Sequence, residues 1–311
     1  MLAALLRVIN ERHGAAFTPG ARYPTGEQGA FAIFDGAGPD AGRFVLKWRR
    51  ADAVPDGVRA AVATTGRLRA AGYPAPRYRL VGVAPALGVC YSVQEALPGA
   101  PLGGLRDGAL LDQLLALNDL QRGRAGAGRD WPGYLVETVL RGGDGYCLLE
   151  PLRRHSAATA DLLAAVQRLA AGHAAERAPA GDVVHFDFQG ANILVDGGRV
   201  SGVVDWEGTR AGDRAFDLAT LLFCMDGGGA VEPALQARLW RELRARTTPG
   251  LRRLYLAHMI LRQVDWAIRF YGQDVVDRYL RRADEMLRLL AADADRSVLS
   301  DERPPQATSW G

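Results

Sequence analysis

The 311-residue chain is 48% hydrophobic and 23% charged with a formal net charge of +3, which excludes a disordered or fibrous chain and leaves an ordinary globular protein. Its arginines are scattered rather than gathered in a stripe with aromatic residues, so nucleic-acid binding is not expected. The start reads as an amphipathic helix, with neither a signal peptide nor a membrane span expected. Cys90, Cys147 and Cys224 are an odd number set far apart, the pattern of reduced core thiols in a cytoplasmic protein. The length suits two lobes with cores of their own or one large α/β domain.

After the first helix, residues 25–36 read as a glycine-containing turn around Gly26 and Gly29 entering a strand, and residues 43–50 read as the next strand. Among 38 Lys and Arg residues Lys47 is the single lysine, which points to a compact charge being wanted there rather than a planar fork. Residues 57–71 form an alanine-rich helix stopped by Gly72, Pro74 and Pro76. Two strands follow, at 78–83 and 88–93, then a change of direction at 94–99. Residues 103–122 carry leucines at helical spacing. The stretch 123–145, rich in glycine and arginine, reads as a surface excursion, and 161–177 as a helix carrying His173.

Residues 183–205 form the centre of the chain. An apolar entry leads to a polar loop with Asp187 and Asn192, and the Gly197-Gly198 pair is a hairpin turn signal that folds Asp205 back toward them. Two carboxylates and an amide oxygen around one point are hard ligands, suited to magnesium holding a polyphosphate better than to zinc. The spacing His-x-Asp-x-x-x-x-Asn from His185, followed by an apolar strand ending in Asp205, matches the catalytic loop and metal-binding Asp of the protein-kinase signature set. Beyond it, Asp217 opens an apolar helix running to about Leu222. Helices are expected at 233–246, 251–271 and 275–291, with a loose polar tail.

The run from Phe186 to Asn192 followed by Val203-Val204-Asp205-Trp206-Glu207-Gly208 resembles the aminoglycoside phosphotransferase family of antibiotic and small-molecule kinases. The resemblance implies an α+β, two-lobed protein-kinase-like fold: a β-rich N-terminal lobe over residues 1–97, a hinge at 94–99, and a larger, mainly helical lobe over 98–311. It implies that Lys47 reaches the phosphates of ATP or GTP, that Gly26 and Gly29 let backbone approach the nucleotide, and that main chain near Glu95 and Leu97 bonds the base edge. Asp187 takes the acceptor proton, Gln189 touches the moving phosphoryl group, and Asn192 and Asp205 hold Mg2+. His185 fixes the loop rather than titrating. Glu207 is either a water-mediated metal contact or a solvated loop acid.

Two departures from the family pattern stand out. Phe186 occupies the place where glycine is most common. The helix at 57–71, which in the family usually carries a glutamate that pairs with the strand lysine, contains no acid, and Asp52 and Asp56 lie ahead of it. Either one of them substitutes, or Lys47 is held by Asp205 and the phosphates alone.

The expected activity is transfer of the terminal phosphoryl group of a nucleoside triphosphate to a hydroxyl of an antibiotic of aminoglycoside, nucleoside, peptide or macrolide type, for resistance or self-protection. A metabolic kinase of a sugar, amino alcohol or amino acid is the alternative. A catalytically silent nucleotide-binding module and a zinc hydrolase built on His185 and Asp187 complete the set. His258, Asp265, Trp266 and Tyr271 are candidates for an acceptor pocket or for core. Interspersed charge with arginine slightly ahead makes a neutral or acidic acceptor as plausible as a polycation. No nucleic-acid or membrane partner is expected, and either a monomer or a dimer fits.

Overall fold

The computed structural model describes residues 1–23, 29–36, 42–126, 130–173, 175–226 and 232–301, the last of these from 294 onward in backbone alone. In chain order the elements are α1 (Leu2–His13), β1 (Phe17–Arg22), β2 (Ala30–Asp35), β3 (Gly42–Arg50), α2 (Asp56–Ala70), β4 (Tyr78–Ala84), β5 (Val89–Glu95) and β6 (Ala100–Pro101). Next come α3 (Gly108–Leu120), α4 (Trp131–Arg141), α5 (Leu149–His155), α6 (Ala157–Ala171), β7 (Asp182–Val184), β8 (Ile193–Asp196), β9 (Arg199–Val203) and β10 (Arg210–Gly212). Four helices close the chain: α7 (Ala215–Cys224), α8 (Pro233–Arg246), α9 (Pro249–Phe270) and α10 (Gln273–Asp301).

The chain divides into two compact units. The first comprises Met1–Gly103, Gly108–Ala125 and Val183–Arg210. Its five-stranded antiparallel sheet has the order β1-β2-β3-β5-β4. One face of that sheet carries Phe44, Leu46 and Trp48 of β3, packed with Ile33, Val93 and Tyr91 beneath Leu5, Leu6 and Ile9 of α1. Alternation along a strand then sends Val45, Lys47 and Arg49 to the opposite face. A second small sheet, β6-β8-β9, carries the central hairpin, with α3 packed on β9.

The second unit, Gly104–Asp107, Gly126–Asp182 and Ala211–Gly311, is helical. Its centre is α9, almost wholly buried among α4, α5, α6, α7, α8 and α10. Side chains close its helix starts: Asp130 accepts from Gly133 N at 3.2 Å for α4, and Thr248 accepts from Leu251 N at 3.1 Å for α9. Ser156 and Thr159 form a reciprocal capping box for α6.

Several sequence expectations are corrected here. The stretch read as a surface excursion contains α4, whose Trp131, Leu135, Val136 and Val139 are buried as one helical stripe. Flanking glycines masked that periodicity, and α5 was missed with it. Helix α6 begins four residues ahead of the expected 161, at its capping box, and ends before His173, which pairs with Glu176. Helix α3 starts at Gly108, after an irregular stretch that includes the left-handed Gly103 (φ 65°). Helix α2 starts at Asp56, so it does contain one acid. The expected polar tail lies outside the described residues. The three cysteines are buried and in no disulfide, and among the described residues no helix is long and apolar enough to cross a membrane.

Candidate active site

The polar loop after β7 is built on His185. Its Nε2–H donates to Val204 O at 2.9 Å and its Nδ1 accepts the Asp187 N–H at 3.2 Å, which defines one neutral tautomer. The ring is fully buried and packs edge-on against Trp206 at 4.4 Å. With both nitrogens occupied, His185 orients the loop and offers no lone pair to a metal. Phe186 follows with φ 75°, a left-handed conformation that non-glycine residues rarely adopt. That value supplies the physical reason for a glycine at this place, and the phenylalanine is retained by packing: it is buried, with the Arg210 guanidinium 5.1 Å above its ring.

Two side-chain amides hold the Asp187 carboxylate. Gln189 Nε2 donates to both of its oxygens at 3.1 Å, and Asn192 Nδ2 donates to Oδ2 at 2.7 Å and to the Asp187 carbonyl at 3.0 Å. Three sequence-assigned residues are thus one cluster. The hairpin then returns as expected: Gly197 and Gly198 both have positive φ (54° and 75°), the turn pairs Asp196 with Arg199, and Ile193 faces Val203. Val204 N donates to Asn192 O at 2.9 Å, setting Asp205 beside the Asn192 backbone.

Asp205 is itself left-handed (φ 67°, ψ 59°), the third such non-glycine residue after Cys147 and Phe186 among the described residues. Its Oδ1 accepts from Lys47 Nζ at 3.0 Å. Desolvation pushes its pKa up, but the Lys47 charge and hydrogen bond, with Arg49 adding to them, hold it below the ordinary carboxylate value. Of the two arrangements left open for Lys47, the structure shows the pairing with Asp205. Asp56 instead pairs with Arg59 within α2.

The donor set fits magnesium. Because the Asn192 nitrogen is committed to Asp187, its Oδ1 remains, together with Asp205 Oδ2, and neither oxygen accepts a hydrogen bond among the described residues. Magnesium takes one or two such protein oxygens and completes its shell with water and phosphate oxygens. A zinc cage is another matter: among the described residues no group of three His, Cys, Asp or Glu side chains could hold a metal.

Other assigned residues fall as follows. Gly26 lies outside the described residues, and Gly29 sits left-handed (φ 76°) at the entry of β2. Glu95 ends β5; its N–H donates to Arg77 O at 2.9 Å and its carboxylate pairs with Arg69 at 3.2 Å. The Leu97 N–H donates to no acceptor among the described residues, the state a base-edge donor requires. Glu207 is no solvated acid, since only 12% of its side chain is exposed and it is ion-paired with Arg49. Arg49 was missed in the sequence, although lying two residues beyond Lys47 in a strand was a signal. His258 and Asp265 are fully buried, next to Cys147 Sγ (3.8 Å) and Arg269 (2.8 Å) respectively, whereas Tyr271 is exposed.

The model of the phosphotransferase enzyme family matches residues 35–255. The chain belongs to this family. The fold of this phosphotransferase is similar to solved aminoglycoside phosphotransferases. A thermostable mutant of APH(4)-Ia in apo form aligns with a TM-score of 0.67 at 20% identity, covering 91% of this chain and 98% of that one. The ternary complex of a thermostable APH(4)-Ia variant with ADP and hygromycin B aligns at 0.65 and 19% identity, over 91% and 97% of the two chains. APH(3'')-Id from Streptomyces rimosus, in complex with ADP and streptomycin, aligns at 0.53 and 20%, over 84% and 97%. No curated protein matches the sequence. The expected class therefore holds: α+β and kinase-like, with an antiparallel sheet in the N-terminal part and a larger helical C-terminal part.

Proposed function

We propose that this phosphotransferase moves the γ-phosphoryl group of ATP or GTP to a hydroxyl of a small antibiotic, in the cytoplasm, as a resistance or self-protection enzyme. The observation that carries the reading is the cluster Asp187–Gln189–Asn192 joined through the hairpin to the Lys47–Asp205 pair. Relatives of the same fold hold ADP with hygromycin B or with streptomycin, which supports a nucleotide donor and a hydroxylated acceptor.

In this reading Asp187 orients the acceptor hydroxyl and receives its proton as the new O–P bond forms and the bond from the γ-phosphorus to the bridging oxygen breaks. The leaving nucleoside diphosphate keeps that electron pair. Gln189 and Asn192 hold the Asp187 carboxylate in place, and Gln189 is near enough to the base to meet the moving group. Lys47 exchanges Asp205 for phosphate oxygens and draws charge from them. Magnesium, held by Asn192 and Asp205, would supply charge neutralisation at the phosphates. Gly29 and the free Leu97 N–H, with Glu95 beside it, serve the nucleotide through backbone. Positioning and electrostatics carry nearly all of the rate.

The test is a panel of hydroxylated antibiotics and metabolites, incubated with magnesium ATP or GTP and read by mass spectrometry. A gain of one phosphate on an antibiotic supports the reading, and a gain confined to a sugar, amino alcohol or amino acid replaces it with a metabolic kinase. Nucleotide binding with no acceptor modified would favour the silent module, which the lack of an α2 carboxylate on Lys47 keeps in view.

A further inference from the structure

Lys47 and Arg49 project from the same face of β3, and the residues they pair with, Asp205 and Glu207, are likewise two apart. The two ion pairs are adjacent rungs between the strand and the segment after β9. The acids differ, with 48% of the Asp205 side chain exposed against 12% for Glu207, while the cations are similar at 27% for Lys47 and 36% for Arg49. If the proposed function is right, the first rung cannot survive substrate binding. Asp205 must turn to magnesium and Lys47 to the phosphates.

We propose that Arg49 and Glu207 are positioning residues for nucleotide binding: theirs is the rung that persists, and it keeps β3 and the Asp205 segment in register while the Lys47–Asp205 pair opens. Three further contacts converge on the same segment. A Cβ at Gly57 would stand 2.6 Å from the Glu207 carbonyl oxygen, so the first turn of α2 lies directly on the Glu207 backbone and only glycine permits the approach. Just past the other end of α2, the Tyr73 ring meets Trp206 edge-on at 5.4 Å, and Pro74 O accepts from Val203 N at 2.8 Å. Helix α2 brings no carboxylate to Lys47, yet it secures the residue next but one to Asp205.

The electrostatics fit this arrangement. Arg49 helps hold the Asp205 carboxylate ionised, and the buried Tyr78 hydroxyl, which has no hydrogen-bond partner, feels both groups, Asp205 raising its pKa and Arg49 lowering it, beneath a larger rise from burial. Removing Arg49 would therefore leave Glu207 unpaired and also withdraw a positive charge from the field at Asp205. Groups that orient a metal ligand from behind typically change metal affinity by about 10- to 100-fold when lost.

The experiment is calorimetric titration of the full chain with ATP and GTP, each with and without magnesium, for wild type, Arg49→Met, Glu207→Gln, Gly57→Ala and the exchanged pair Arg49→Glu with Glu207→Arg. Each single variant is expected to weaken magnesium-nucleotide binding about tenfold or more, to affect magnesium-free nucleotide much less, and to lower the melting temperature by only a few degrees. The exchanged pair is expected to recover most of the affinity. Unchanged magnesium-nucleotide affinity in folded Arg49→Met or Glu207→Gln would overturn the inference, and so would a loss equal with and without magnesium. Failure of the wild type itself to bind nucleotide would instead overturn the phosphotransfer reading on which this rests.

Discussion

Asp205 and Asp213 lie eight positions apart in the chain and in different units, and their surroundings treat the same side chain in opposite ways. Asp205 faces a cation, keeps 48% of its side chain exposed and is held below the ordinary carboxylate pKa. Asp213 is 1% exposed and accepts from Tyr255 Oη at 2.7 Å and Ala215 N at 2.9 Å; burial pushes its pKa up, only partly offset by those bonds. A carboxylate with an open oxygen and a single lysine contact leaves room for exchange with a ligand, as the proposed function requires. One sealed by a phenol and a backbone amide is a packing element. The first unit carries the residues proposed for phosphotransfer, and the second is organised around buried polar ties such as Arg252–Asp293 (2.6 Å) and Arg214–Asp182 (3.3 Å).

The largest effect expected on the chemical side of this contrast is for Asp187→Asn. The amide preserves the shape but not the base, so turnover should fall by about 10²- to 10⁴-fold, with nucleotide affinity little changed. Steady-state rates and binding measured on the same preparation check this, and near-normal turnover would remove Asp187 from its role.

Phe186→Gly tests whether the strained backbone next to Asp187 is sustained by packing. Glycine would release about 1–3 kcal/mol held in the left-handed conformation, but deleting a buried phenylalanine costs about 3–5 kcal/mol. The ring should win, with a net loss of about 2 kcal/mol in urea denaturation. A more stable variant would show that the backbone, not the ring, dominates there.

On the structural side, Asp213→Ala strands the Tyr255 hydroxyl and should cost about 1–3 kcal/mol with nucleotide affinity intact. The pH dependence follows from the raised pKa. In the window between the ordinary carboxylate value and the raised one, the folded state binds more protons than the unfolded state. Wild-type stability relative to Asp213→Asn should therefore decline as pH rises through that window. For Asp205 the sign is opposite: its contribution is present above the ordinary carboxylate value and lost as pH falls below it. As an exposed pair it is worth no more than about 1 kcal/mol. Denaturation midpoints across the acid range would show whether the two carboxylates diverge.

How far the sequence carried differs between the two units for a physical reason. Lys47 was conspicuous because every other basic residue is arginine, and Asp187, Asn192 and Asp205 were set by short spacings around a Gly197-Gly198 turn. These are local signals; Asp187 and Asn192 are joined by a side-chain hydrogen bond, and the hairpin brings the backbone before Asp205 to that of Asn192. The Arg49–Glu207 pair spans most of the first unit's sequence and hides among many arginines. In the second unit Arg252 and Asp293 are joined only by helix packing, which no local spacing encodes. Helix α4 was concealed by flanking glycine, and the start of α6 lay in a capping box that alanine-rich helical periodicity obscured.

Central to the proposed function is Asp205 as a metal-dependent nucleotide ligand rather than a surface ion-pair partner. Its most direct test is calorimetric titration of wild type and Asp205→Ala with ATP and GTP in magnesium and again in chelator. The prediction is magnesium-dependent binding in the wild type that is lost in the variant, while the variant's melting temperature changes little. Equal binding by both proteins, or binding indifferent to magnesium, would contradict it.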